Sequence, residues 1–199
     1  IKAVSEATKF LVEGGLMEYT QARKLSVSEA HCLDVIRRKT ASAMSLSCKL
    51  AALLSEANPE QEKALVEFGT QFGMAFQLMD DAMDYDSEED QLGKPPGNDF
   101  QEGHVTLPLL HLYENSDSSL KKEIEGFVEN KNLTKKDFDY VLEQMRETKS
   151  IEYTLDLARN YLEQAKKSIR TVTFPQSEYI KSLDAVADYV YERHATLRS

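Results

Sequence analysis

Residues 60–86 read EQEKALVEFGTQFGMAFQLMDDAMDYD, a stretch without proline whose spacing of apolar residues predicts one long helix. At about 3.6 residues per turn, the large apolar side chains fall on one stripe, as expected for a helix that packs against a core. That stripe comprises Leu65, Phe68, Phe72, Ala75, Met79 and Met83. The second face carries Gly69, Gly73, Gln77, Asp80 and Asp84, and Asp81 stands about 80–100° around from the other two aspartates.

The two glycines of the second face need an explanation, because each costs a helix roughly 1 kcal/mol relative to alanine. Gly69 and Gly73 allow a neighbouring helix to approach closely, or they leave space for something that binds beside them. The sequence alone leaves both interpretations open.

The three aspartates form a DDxxD pattern at Asp80, Asp81 and Asp84. Like charges three and four residues apart on a helix repel each other, and a hard divalent cation removes that repulsion. Mg²⁺ prefers a few carboxylate oxygens together with substrate phosphates. The pattern therefore predicts a Mg²⁺–diphosphate site, and the alternative is a solvated acidic helix end.

The rest of the chain is also helical in pattern, with only 8 glycines and 5 prolines among 199 residues. Asn58, Pro59 and Glu60 end one helix and begin the next, and Thr134 with Asp137 resembles a helix cap. We predict helices at 2–18, 29–57, 60–86, 106–115, 117–129, 135–147, 150–171 and 176–196. These elements predict an all-α fold in a single domain, 1–199.

One irregular segment, 87–104, follows directly on the acidic motif and is rich in glycine and proline. Loops of this length within compact domains are often functional lids. We predict that this segment is a lid, mobile without ligand and ordered when diphosphate and Mg²⁺ bind, with Lys94 as a candidate phosphate contact.

A lysine interrupts the apolar seam of the predicted 29–57 helix. The seam consists of Ile36, Lys39, Ala43, Leu46, Leu50 and Leu53. Lys39 either extends its stem to reach water or meets an anion, and Thr40 offers a hydroxyl on the adjacent face.

Composition and charge limit the classes of molecule that this chain is expected to bind. A net charge of −10 argues against nucleic acid and anionic membrane surfaces. There is no signal-peptide pattern and no run approaching the roughly 18 apolar residues of a membrane span, so stable membrane insertion is not expected. Cys32 and Cys48 suit a reducing compartment, and we expect a cytoplasmic protein. Because the chain begins at Ile1, we expect a longer natural protein.

Taken together, three segments in this order resemble the trans-isoprenyl diphosphate synthase family, of the long-chain octaprenyl or solanesyl type. Arg38-Lys39-Thr40 resembles its KT motif, and 73–85 resembles its second aspartate-rich motif. Gln91-Leu92-Gly93-Lys94, followed by 97–110, resembles its lid segment. Asp84-Tyr85 and the Leu-Pro-Leu-Leu run at 107–110 favour the polyprenyl branch over the farnesyl type.

The resemblance implies an all-α bundle around a deep central cavity, assembled as a homodimer. It implies an Mg²⁺-dependent enzyme that condenses isopentenyl diphosphate head-to-tail onto an allylic diphosphate of the farnesyl or geranyl class. The product would be an all-trans polyprenyl diphosphate.

The resemblance also assigns roles to particular residues. Asp80 and Asp84 would ligate Mg²⁺, and Asp81 would support them through water. Lys39 and Lys94 would hold the allylic diphosphate. The residues that flank the cation and the isopentenyl unit would be Thr40, Phe76 and Gln77.

The chain departs from the family pattern in four places. The first aspartate-rich motif is absent and should lie before Ile1. Gly14-Gly15-Leu16-Met17-Glu18 stands where Gly-Glu-Leu-x-Gln is usual, Asn98 replaces the first Asp of Gly-Asp-Asp, and His104 replaces a lysine. We therefore expect the N-terminal helices to be missing from 1–199 and this stretch alone to be inactive. Two alternatives stay open: a non-catalytic subunit that pairs with an active synthase, and a terpene-cyclase-like helical enzyme.

Overall fold

A computed structural model describes residues 1–86, 97–130, 132–175 and 177–197, except for the side chains of Ser177 and 193–197. Within these ranges the chain is helical with short connections, and no β-strand occurs. The prediction of an all-α fold is confirmed.

The helices begin and end close to the predicted positions. They are α1 (Lys2–Gln21), α2 (Glu29–Ile36), α3 (Ser42–Leu54), α4 (Pro59–Asp86), α5 (Asn98–Glu102), α6 (Leu107–Asn115), α7 (Ser118–Glu129), α8 (Lys135–Glu147), α9 (Ser150–Arg170) and α10 (Ser177–Leu197). Two features differ from the sequence prediction. The predicted 29–57 helix contains a π-helical stretch, Arg37–Ala41, between α2 and α3, and the short helix α5 lies within the segment predicted to be irregular.

Local capping explains where several helices start. The Asn58 side-chain oxygen accepts hydrogen bonds from the backbone N–H groups of Glu60 and Gln61, each at 3.0 Å. Pro59 takes the first helical position, where its missing N–H costs nothing. Thr134 and Asp137 form a reciprocal capping box at the start of α8, as predicted.

The central helix is α4, which packs along α9 on one side and α3 on the other. Its predicted apolar stripe is confirmed, because Phe68, Ala75, Met79 and Met83 are buried in the core. Their neighbours from α9 include Leu155, Ala158, Leu162, Ala165 and Ile169. The stripe therefore fixes α4 in the middle of the bundle and determines which of its faces point elsewhere.

Gly69 and Gly73 are sites of close helix packing. A Cβ on Gly69 would lie 2.7 Å from the Met44 carbonyl oxygen, and one on Gly73 would lie 2.6 Å from the Ala41 Cα. Backbone atoms of α3 and of the π-helical stretch fill the space, so these glycines do not line a cavity. The interpretation that Gly69 and Gly73 leave space for something to bind beside them is wrong, and close helix packing is the correct alternative.

The chain after α4 is tied back to the end of that helix. The backbone N–H of Gly97 donates to the Asp84 carbonyl at 2.7 Å, and the N–H of Asp99 donates to the Asp84 carboxylate at 2.9 Å. Arg23 also holds this segment, because its guanidinium donates hydrogen bonds to the backbone carbonyls of Gln101 and Val128 at 2.9 and 2.7 Å. These bonds hold α5 beside the C-terminal end of α4.

Among the described helices, none combines the length and the hydrophobicity needed to cross a membrane.

Candidate active site

A pocket opens where the π-helical stretch faces the C-terminal half of α4. Four residues predicted for the site line it: Lys39, Thr40, Gln77 and Asp81. The rest of its wall comes from α1, α2 and the segment before α6, including Glu18, Gln21, His31, Cys32, Ile36, His104, Val105, Thr106 and Leu107. The structure thus brings the predicted KT motif and part of the aspartate-rich motif to one place.

The π-helical stretch contains both residues of the KT motif. A π-turn inserts one extra residue into a helix and changes which side chains share a face, and such insertions are frequent at functional sites. Here Ala41 lies against Gly73 of α4 while Lys39 and Thr40 face the pocket. The backbone distortion thus presents both polar side chains while the helices stay in close contact.

A short chain of hydrogen bonds crosses from this stretch to α4. The Thr40 hydroxyl donates to the Gln77 side-chain carbonyl at 2.7 Å, and the Gln77 amide donates to the Asp81 carboxylate at 2.8 Å. Because Gln77 uses one end for each partner, its amide has a fixed orientation.

Lys39 meets an anion, which in this structure belongs to the protein. Its ammonium lies 2.5 Å from the carboxylate of Glu18 on α1. The Lys39 side chain keeps 45% of its surface exposed, so the ammonium is accessible from the pocket. Of the two outcomes that the sequence left open for Lys39, the structure favours an anion contact.

Asp81 is 4% exposed although it lines the pocket. Burial raises the pKa of its carboxyl well above the ordinary range, the Gln77 hydrogen bond opposes that rise, and the neighbouring Asp99, Asp80 and Glu18 add to it. The three neighbouring carboxylates thus repel an ionised Asp81, and a bound cation would relieve that repulsion.

The predicted faces of the aspartates need correction. Asp81, expected to stand aside, shares the pocket wall with Gln77 because these two residues are four apart on the helix. Asp80 is exposed, and among the described residues it does not belong to that wall. Asp84 is 2% exposed and its carboxylate accepts the backbone N–H of Asp99. Asp84 thus holds the chain at α5, a contact that could not be read from helix geometry.

Phe76 lies outside the pocket wall formed by the described residues. It continues a row of rings along α4, with its centroid 6.4 Å from that of Phe72, which in turn stacks on Phe68. Lys94 and the predicted lid residues 87–96 lie outside the described residues.

Among the pocket residues without an assigned role in the sequence analysis, two charged or titratable side chains stand out by their positions in the sequence. Glu18 and His104 both occupy positions where the chain departs from the family pattern, and that departure was the signal that could have identified them. His104 lies 3.7 Å from the Asp99 carboxylate and 3.8 Å from that of Glu102. The nearby Asp99 carboxylate raises the His104 pKa, burial opposes this, and the negative charge of Glu18 adds to the rise.

The described residues contain no group of three or more His, Cys, Asp or Glu side chains that converge as a metal site. Mg²⁺ in phosphate-transfer sites usually needs only one or two carboxylates, since the substrate supplies the other oxygens. The exposed Asp80 carboxylate beside the buried Asp81 fits that smaller requirement.

Comparisons with known proteins agree with this geometry. Residues 1–145 match the Polyprenyl synthetase family. The chain is 35% identical over 158 residues to heptaprenyl diphosphate synthase component 2 of Bacillus subtilis, covering 79% of this chain and 44% of that protein. It is 33% identical over 195 residues to octaprenyl diphosphate synthase of Haemophilus influenzae, covering 98% and 58%. The chain belongs to the polyprenyl synthetase family.

Solved structures show the same arrangement of helices. The crystal structure of polyprenyl synthase from Caulobacter crescentus, complexed with calcium and isoprenyl diphosphate, superposes with a TM-score of 0.90 at 30% identity. The match covers 97% of this chain and 58% of that one. The chain therefore spans about half to three fifths of the relatives it matches.

Proposed function

We propose that the protein containing this chain is a prenyltransferase that condenses isopentenyl diphosphate head-to-tail onto an allylic diphosphate of the farnesyl or geranyl class. The product is an all-trans polyprenyl diphosphate of the long-chain type. The observation that carries the proposal is the meeting of Lys39 and Thr40 with Gln77 and Asp81 in one pocket. Family membership and the names of the octaprenyl and heptaprenyl relatives support it.

The difficult step in this reaction is separation of charge. The allylic C–O bond breaks to give a carbocation and a diphosphate, the isopentenyl double bond attacks the cation, and a proton leaves the adduct. Fixed positive groups aimed at the leaving diphosphate lower the barrier of the first step. Lys39, which lines the pocket, is proposed for that role, and Lys94 is proposed as the second cationic contact.

The residues proposed to flank the allylic cation and the isopentenyl unit are Thr40, Gln77 and Phe76. The Thr40–Gln77–Asp81 hydrogen bonds hold the amide of Gln77 in one orientation. A fixed carbonyl dipole and an aromatic face both stabilise positive charge. Phe76, which precedes Gln77 on α4 and lies outside the described pocket wall, is the proposed aromatic residue.

Mg²⁺ is the proposed cofactor, and the proposed metal-site residues are Asp80, Asp81 and Asp84. The ion would neutralise negative charge that develops on the leaving diphosphate. Asp80 is exposed and is the first candidate ligand, while the buried Asp81 carboxyl lies on the pocket wall. Asp84 contributes by fixing the chain at Asp99. The Caulobacter relative's structure contains calcium together with isoprenyl diphosphate, which supports a divalent ion in this family.

We further propose that 1–199 forms one domain, that the protein acts in the cytoplasm, and that it assembles as a homodimer. The free cysteines Cys32 and Cys48 are compatible with a reducing compartment. The word "component" in the name of the Bacillus relative favours a second possibility, in which the partner is a different subunit.

The test is an elongation assay on the protein at its full natural length, with radiolabelled isopentenyl diphosphate, farnesyl diphosphate and Mg²⁺. We expect elongated product, its loss on chelation, and a decrease of at least about a hundredfold in Lys39→Ala. The matched control is Lys49→Ala, because Lys49 lies on α3, which continues directly from the π-helical stretch, but lines a different groove with Phe10 and Arg38. Absence of elongation with the purified protein would favour the non-catalytic subunit.

A further inference from the structure

The contact between Glu18 and Lys39 places a carboxylate where the proposed function needs an anion-binding lysine to be available. The two side chains are 27% and 45% exposed, and both line the pocket. Close backbone packing supports this contact. A Cβ on Gly14 would lie 2.7 Å from the Lys39 backbone nitrogen, so α1 contacts the π-helical stretch directly. Glu18 follows Gly14 by about one helical turn and is therefore held at the Lys39 side chain.

The described part of the pocket is poor in net positive charge. Among the described residues that line the pocket, Lys39 is the only lysine or arginine, and the acidic residues are Glu18 and Asp81. His104 is engaged from α5 by the carboxylates of Asp99 and Glu102. A diphosphate that binds Lys39 must therefore displace the Glu18 carboxylate from the lysine. The negative charge of Glu18 then remains close to the bound diphosphate.

We propose that Glu18 is a specificity-determining residue that competes with the diphosphate for Lys39 and so selects metal-complexed diphosphate over the free anion. The inference rests on the proposed function. A free diphosphate carries several negative charges and is repelled by the Glu18 carboxylate. A bound Mg²⁺ cancels two of those charges, so the repulsion falls while the contact with Lys39 remains.

This competition has a consequence for turnover. Once the reaction has released pyrophosphate, Glu18 can take back the Lys39 ammonium as the anion leaves. Release is then easier than from a site in which the lysine has no partner in the protein. A glutamine at position 18 keeps a hydrogen-bond acceptor for Lys39 but lacks the charge.

The experiment is isothermal titration calorimetry of inorganic pyrophosphate into the full-length natural protein and its Glu18→Gln variant, with EDTA or with saturating Mg²⁺. We expect Glu18→Gln to bind free pyrophosphate roughly tenfold more tightly, and the magnesium complex only about two- to threefold more tightly. Thermal melts of both proteins check that the fold is retained.

Glu13→Gln is the matched control. Glu13 lies on the same helix and pairs at 2.7 Å with Arg38, whose side chain lines the separate groove with Phe10 and Lys49. It undergoes the same loss of charge, and we expect unchanged pyrophosphate affinity in both conditions.

The outcomes separate the two proposals. If Lys39→Ala loses pyrophosphate binding but Glu18→Gln binds no more tightly than the natural protein, the competition is refuted and the diphosphate site stands. Weaker binding in Glu18→Gln likewise refutes it, because Glu18 would then be a support for Lys39. If Lys39→Ala binds as well as the natural protein, the proposed site itself is wrong.

Discussion

The Thr40 hydroxyl lies 2.7 Å from the side-chain carbonyl of Gln77, and this bond joins the π-helical stretch to α4 at the level of the candidate site. The same amide then donates to Asp81 at 2.8 Å. Since each group in the row has a fixed role as donor or acceptor, the carbonyl of Gln77 keeps one direction. The arrangement is preorganised, which is the property that electrostatic stabilisation of a cation requires.

Loss of the Thr40 hydroxyl tests this preorganisation. Thr40→Val keeps the shape of the side chain but leaves the Gln77 carbonyl without its donor, and we expect kcat to fall about tenfold to a hundredfold. Thr40→Ser restores the donor and should recover most of the activity. Steady-state elongation assays on the full-length protein make the comparison. Equal activity of the valine and serine variants would contradict a role for the hydroxyl.

The exposed Asp80 carboxylate is expected to matter most among the acids for turnover. Asp80→Ala should lower kcat by at least about a hundredfold, because it removes the candidate ligand of an ion that neutralises leaving-group charge. The control for loss of one surface charge is Asp139→Ala on α8, where the side chain is exposed and remote from the pocket. The elongation assay is repeated over a range of Mg²⁺ concentrations. Near-normal activity of Asp80→Ala at every concentration would remove Asp80 from the metal site.

Much of the fold followed from periodicity and capping. The stripe from Phe68 to Met83 predicted the buried side of α4, and the Thr134–Asp137 pair predicted the start of α8. Such features depend on residues close together in the sequence, so local rules were sufficient. Lys39, Thr40 and Gln77 were also predicted for one site, through the family resemblance and not through spacing alone.

The remaining features depend on contacts between distant segments. The π-helical stretch at Arg37–Ala41 accompanies contacts that α1 and α4 make with it through Gly14 and Gly73. The role of Asp84 depends on the position of Asp99, and the Lys39–Glu18 pair depends on how α1 crosses. None of these partners lies within one helical turn of the residue it contacts, so helix geometry alone could not identify them.

Asp81 is a buried carboxyl group whose ionisation the fold disfavours. Asp81→Asn keeps an oxygen to accept the Gln77 hydrogen bond and removes the carboxyl whose pKa burial raises. We expect the midpoint of thermal unfolding to rise by about 2–4 °C, which corresponds to roughly 1 kcal/mol for a chain of this size, while activity falls. Calorimetry of the metal-free protein measures the change. A lower midpoint would mean that the carboxylate itself stabilises the fold.

Close packing at Gly73 gives a prediction about stability alone. A Cβ there would lie 2.6 Å from the Ala41 Cα, so Gly73→Ala must push α4 away from the π-helical stretch at a cost of about 1–3 kcal/mol. Gly126→Ala is the matched control, since Gly126 lies within α7 and has no atom within 4 Å of its ideal Cβ. That variant should gain about 0.5–1 kcal/mol from helix propensity. Urea unfolding of both variants tests the contrast, and similar effects at the two sites would contradict the packing argument.

His104 should make stability depend on pH in a defined direction. Its pKa is raised above the usual value, which is about 6.5, by the nearby Asp99 carboxylate and by the negative charges of Glu18 and Glu102, against the opposing effect of burial. A raised pKa means that the folded protein holds the proton more tightly than the unfolded chain. The stabilisation is therefore complete below about pH 6.5 and is lost as the pH rises through the folded-state pKa. Urea unfolding of the natural protein and of His104→Gln between about pH 5.5 and 9 measures it. We expect the free energies of unfolding of the two proteins to differ most at the acidic end of this range and to converge at the alkaline end. A difference that grows with pH would show that the ion pairs of His104 with Asp99 and Glu102 do not stabilise the fold.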